Sequence, residues 1–227
     1  MQRTPVYIVS SPRPRVGRTI AARLLTEFQL HHRGAVQAFD INMSEPSLVD
    51  FLPRLTETMD ISDTPGEIAL MDRLVTDDGI PKVLDLGYPA FDRFFRLIED
   101  IGFVKEAEMR GIEPIILFMA STDRSAPRAF LDLRARFPRT AIVPVDNEGI
   151  TLGDAPAEFS GANPIRIKAL PTFLRSILDR TNFSLVEYLR KADDQTTEMH
   201  QWTRNAFVQF RDLDLNLLLH KLRGQLR

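Results

Sequence analysis

Short apolar runs recur along the chain, and each ends in a polar turn. They are VYIVS (Val6–Ser10), VQAFD (Val36–Asp40), KVLDLG (Lys82–Gly87), IILFMA (Ile115–Ala120), AIVPVD (Ala141–Asp146) and IRIKAL (Ile165–Leu170). A strand with one wet face alternates apolar and polar residues. These runs are nearly continuous, as expected for a parallel sheet covered on both faces. Helical periodicity fills most of the gaps. Val16, Ile20, Leu24 and Phe28 repeat every four residues, with Leu25 alongside. Phe91, Phe94, Phe95, Ile98 and Ile101 mark one face after the third run, and APRAFLDLRARF reads as another helix. The alternation predicts an α/β fold: three layers, a mainly parallel twisted sheet of about six to eight strands, and helices on both faces.

Terminal signals sharpen the helices. In TPGEIALMDRLV, Thr64 is the expected N-cap, with Pro65 at the first helical position and Glu67 completing a capping box. Ser184 and Glu187 repeat that box before LVEYLRKA. Past Leu170 the pattern is helical only, with a long segment from about Thr196 to Leu226. No linker interrupts it, so one domain is expected over 1–227, with a helical segment at about 171–227. The loop Asp146–Pro164, rich in Gly, Ala and Pro, has the length of a lid or partner loop.

Composition narrows the class. The 227 residues are 44% hydrophobic and 26% charged, with net charge -2 and no cysteine. That is globular composition with no global pull toward nucleic acid or anionic lipid, and thiolate chemistry is excluded. MQRTPVYIVSSPRPR lacks a signal-peptide core, and no run approaches the roughly 18 apolar residues of a membrane span. A soluble, cytoplasmic protein is expected. The arginines at 124, 128, 134, 136 and 139 read as a solvated face or a non-specific DNA surface, and the leucine-rich tail as a packing or membrane-surface segment.

The candidate chemistry lies between the first run and the first helix. PRPRVGRT has the length and the final Gly-x-Thr of a phosphate-binding loop, in which backbone amides and a helix N-terminus hold an anion. The alternative is a tight strand-to-helix turn without ligand. Asp40 and Asp85 fall at strand ends, where open α/β sheets bind ligands, although an acid there also caps a following helix.

RPRVGRT (Arg13–Thr19) resembles the deviant Walker A motif K-G-G-x-G-K-T of the ParA/MinD-type P-loop ATPases. Gly17 and Thr19 match outright. Arg18 stands for the phosphate-binding lysine and Arg13 for the signature lysine that crosses a dimer, while Pro14 and Arg15 replace two glycines. AFDINMSEPSLVDFL resembles the second-strand motif and KVLDLGYP the Walker B strand. The resemblance implies a P-loop NTPase-like fold that binds ATP or ADP with Mg²⁺. It implies catalytic roles for Asp40 (placing water), Arg18 and Arg13. Nucleotide contacts are implied at Arg15, Val16, Gly17, Arg18, Thr19 and, through adenine, Asn147, with the Thr19 hydroxyl at the metal and Asp85 holding the metal through water. Asn147 reads equally as a turn residue.

The departures weigh on catalysis more than on binding. Pro12 and Pro14 have no N–H to donate, Arg15 resists the positive φ that glycine permits, and arginine is a planar fork rather than a compact point charge. The expectation is a nucleotide-dependent switch, weak or inactive as an ATPase, that controls a homodimer or binds an unknown protein partner. An active ATPase, a ligand-free interaction module and a small-molecule kinase or ligase of the dethiobiotin synthetase type are the alternatives. FDINMSEPSL argues against the last.

Overall fold

The computed structural model describes residues 4–42, 47–150, 156–181, 183–191 and 194–225, the last six by backbone alone. Among them, seven strands form one sheet: β1 (Thr4–Ser10), β2 (Gln37–Asp40), β3 (Thr56–Thr58), β4 (Lys82–Leu86), β5 (Ile112–Met119), β6 (Ala141–Asn147) and β7 (Ile165–Ile167). All neighbours are parallel, in the order β3-β2-β4-β1-β5-β6-β7. The helices are α1 (Arg18–Arg33), α2 (Leu48–Phe51), α3 (Thr64–Leu74), α4 (Phe91–Asp100), α5 (Phe103–Met109), α6 (Ser125–Arg136), α7 (Ala157–Ser160), α8 (Thr172–Leu178), α9 (Leu185–Lys191) and α10 (Glu198–Gln225).

The continuous apolar runs have the expected cause. Tyr7 and Val9 of β1 join a core with α1, α2 and α8–α10, while Val6 and Ile8 join a second core with α3–α7. The result is the expected three-layer α/β arrangement, a parallel sheet with helices on both faces. β3 escaped the apolar pattern because its sequence is Thr-Glu-Thr, half-buried to exposed, at the sheet edge.

Cap chemistry moves one helix start. Asp63, not Thr64, is the N-cap of α3; its side chain accepts from the Gly66 N–H at 2.8 Å, and Thr64 is the first helical residue. Aspartate is at least as good a cap as threonine, so the helix starts one residue earlier than Thr64 would set it. Ser184 does cap α9, its hydroxyl accepting from the Glu187 N–H at 3.2 Å. In the predicted lid, β6 runs on to Asn147 and α7 takes up 157–160, while 151–155 lie outside the described residues.

The C-terminal helices are fastened to α1 by buried polar groups. Arg23 donates to the carbonyls of Leu178 and Phe183 and pairs with Glu27 at 3.4 Å. Glu27 in turn accepts from the Val186 N–H at 2.9 Å and the Ser184 hydroxyl at 3.0 Å. Burial pushes the Glu27 carboxyl above its ordinary pKa, and the Val186 amide and Arg23 oppose that. Further along, Tyr7 donates to Asp214 of α10. Phe210 packs on Phe28 with no exposure, a burial that stabilises by about 1.5–3 kcal/mol. No helix among the described residues is long and apolar enough to cross a membrane.

Candidate functional site

β1 lies at the centre of the sheet between β4 and β5, so the segment from Ser11 to Gly17 crosses the carboxyl edge of the strands before α1 begins. Ligands of open α/β sheets bind at that edge. Asp40 and Asp85 are register partners on adjacent β2 and β4. Thr19, in the first turn of α1, donates its hydroxyl proton to Asp85 Oδ2 at 2.7 Å. The two acids thus end neighbouring strands on the loop's own edge, as the sequence predicts.

Gly17 is the N-cap of α1 with φ 77°. A Cβ there would lie 2.1 Å from the Asn147 side-chain nitrogen, so both backbone and space require glycine. Asn147 Oδ1 accepts from the Gly149 N–H at 3.1 Å, a turn bond, while its amide lies against Gly17. Arg15, expected to resist a positive φ, adopts φ 58°. Its side chain is exposed, and the backbone conformation costs roughly 1–3 kcal/mol of strain. Arg13 turns aside: its Nη2 donates to Asp123 Oδ1 and its Nε to Ser125 Oγ, both at 2.9 Å. The Ser125 hydroxyl and amide, with Arg13, hold the Asp123 carboxyl at about 2.

Arg18 points inward. Its Nε donates to Asp85 Oδ1, forming an ion pair with side-chain exposures of 9% and 0%. Arg18 is thus not turned wholly toward the loop: a fully buried carboxylate requires a partner, and the Nε of Arg18 takes that place. Asp40 is committed too. Its Oδ2 accepts from the N–H groups of Ser47 and Leu48 at 2.9 Å and of Val49 at 3.4 Å, and its Oδ1 from the Asn42 N–H at 3.1 Å. It therefore caps α2. Burial and then the Asp85 charge raise its pKa, against those amides.

These bonds test the Mg²⁺ expected at Thr19 and Asp85. Both Asp85 oxygens accept from the chain's own groups, Arg18 and Thr19. A divalent cation held by Asp85 through water, as the resemblance implies, or directly, would have to displace the guanidinium or the Thr19 hydroxyl or sit beside them, so the residues as arranged do not fit the metal. Among the described residues, no three His, Cys, Asp or Glu side chains form a metal-holding group.

Three further residues enter the site. Ser47 Oγ lies 3.2 Å from Thr19 Oγ1, and Asp123 and Ser125 hold Arg13. Asp123 and Ser125 follow the β5 run, so their place at the carboxyl edge was readable in principle. Ser47 offered no signal of its own. Val16 is buried beneath the loop in the α1-side core.

No protein-family model matches the chain, and no curated protein matches its sequence. Solved structures resemble it. The MinD cell division protein of Aquifex aeolicus is 16% identical, with a TM-score of 0.48 over 92% of this chain and 97% of that one. A ParA family ATPase from Chlorobium tepidum is 14% identical, with a TM-score of 0.45 over 89% and 98%. A nucleotide-binding protein from Archaeoglobus fulgidus, in complex with ADP, is 12% identical, with a TM-score of 0.46 over 77% and 85%. The chain is similar to these proteins in overall arrangement, and similarity at this level transfers no residue's role.

Proposed function

We propose that the chain is a ParA/MinD-like nucleotide-binding protein, a switch for dimerisation or partner binding that hydrolyses ATP slowly or not at all. One observation carries the reading: Gly17 in the left-handed conformation opens α1 at the carboxyl edge of the central strand, with Thr19 hydrogen-bonded to Asp85 beneath. The first amides of a helix have no partner within it, and the dipole adds positive potential, so the Arg18–Ile20 turn favours a phosphate.

The same geometry supports weak turnover. Phosphoryl transfer depends on placed charges and a placed nucleophile. Asp40, the candidate for placing water, has both oxygens engaged by backbone amides. Arg18 and Arg13 are held by Asp85 and Asp123 within the same chain.

A second reading, a ligand-free interaction module, is favoured by how completely the loop satisfies itself: Asn147 against Gly17 and Arg18 on Asp85. Calorimetry with ATP, ADP and a non-hydrolysable analogue separates the two. Saturable binding with little phosphate release supports the switch. No binding under any condition supports the module, and brisk turnover refutes the slow-hydrolysis part.

A further inference from the structure

We propose that this site takes a nucleotide's phosphates without a divalent metal, because the Arg18 guanidinium stands on Asp85 as a built-in cation. The inference rests on the nucleotide-binding reading and concerns how the charge at that site is balanced.

A carboxylate beside a polyphosphate repels it unless a cation lies between them. Here the chain supplies that cation. The Arg18–Asp85 pair has no net charge, and both side chains are nearly or fully out of water. Nε is taken by Asp85. Among the described residues the two terminal nitrogens make no hydrogen bond, and on this proposal their N–H groups meet phosphate oxygens in the bidentate manner arginine favours. Arg18 is therefore a bridge between the acid and the ligand.

The remaining partners agree. Thr19 gives its only proton to Asp85 Oδ2, closing the carboxylate's other oxygen. Asp40, the second acid of the edge, is enclosed by amide donors and does not recruit a cation of its own. A magnesium ion carried in on ATP would face the guanidinium, like charge to like, and would compete with it for the same phosphate oxygens.

The test is calorimetry of the full chain with ATP and with ADP, once in excess Mg²⁺ and once in EDTA. The expected result is an affinity in EDTA equal to, or tighter than, that in Mg²⁺. Tightening by Mg²⁺ of about tenfold or more, or 1.4 kcal/mol, overturns the inference and leaves the nucleotide reading standing. Absence of binding in both buffers removes the nucleotide reading and the inference with it. Arg18→Ala sharpens the assignment. Its residual binding should become metal-dependent, because Asp85 is left bare, whereas unchanged metal-independence in the folded variant places the balancing charge elsewhere and refutes the role of Arg18. The wild-type comparison stands without any variant.

Discussion

α1 carries two buried arginine–carboxylate pairs less than two turns apart, and they are built differently. Arg23–Glu27 is wrapped: Arg23 donates to two carbonyls of the 178–183 segment, and Glu27 accepts from Ser184 and Val186. Arg18–Asp85 is half-open. Asp85 is closed by Arg18 and Thr19, while Arg18 is bonded through Nε toward a strand end at the ligand edge. A buried ion pair recovers its desolvation cost only when its remaining donors and acceptors are also satisfied. The wrapped pair meets that condition inside the fold; on the proposal above, the half-open pair would meet it fully when a ligand binds. One is an anchor, and the other is proposed as a binding element.

Substitutions at the two pairs should break or sharpen this contrast. The largest effect is expected at the anchor: Glu27→Ala strands a buried guanidinium and should cost about 3–5 kcal/mol in urea-monitored unfolding. A loss below about 1 kcal/mol would place Glu27 among ordinary surface pairs. Next, Arg18→Ala should remove roughly 1.5–3 kcal/mol of nucleotide affinity by calorimetry. If Glu27→Ala weakens nucleotide binding as much while remaining folded, the division between anchor and binding element fails.

A smaller effect concerns Asp40. Its pKa is raised above the ordinary 3.8, so the folded state holds the proton more tightly than the unfolded chain. Its stability term is fully present below that value and is lost as pH rises through the raised one. Relative to Asp40→Asn, wild-type stability should fall with rising pH across that window, by at most about 1.4 kcal/mol per pH unit. A difference independent of pH would show that the cap amides cancel the burial. Least of all, Arg13→Ala breaks an exposed pair with Asp123 and should leave the melting temperature nearly unchanged in a thermal unfolding scan.

The layers of the fold were legible because burial on both faces writes itself as unbroken apolar runs. β3 was not, since an exposed Thr-Glu-Thr edge has nothing apolar to show. At the site, the positions of Thr19, Asp40 and Asp85 were readable from strand ends and from the resemblance. The direction of Arg18 was not. A long side chain can reach outward to a ligand or inward to an acid, and the choice depends on Asp85 being fully buried, a tertiary fact. Arg13's turn toward Asp123 and Ser125 joins residues more than a hundred positions apart, beyond any local pattern.

The sixteen-residue α1 has one more consequence. At 1.5 Å per residue it is a beam about 24 Å long. Its near end carries Arg18 and Thr19, and its far end carries Gln29 and Arg33, which reach Asp214 on α10 at 3.4 and 3.9 Å. The wrapped Arg23–Glu27 pair between them acts as a fulcrum on the 178–186 segment. A tilt of about 5° about that fulcrum would carry the far end, about 12 Å away, by roughly 1 Å, enough to lengthen the 3.9 Å Arg33–Asp214 contact. A ligand that tilted α1 would thus pull on α10, the longest helix among the described residues.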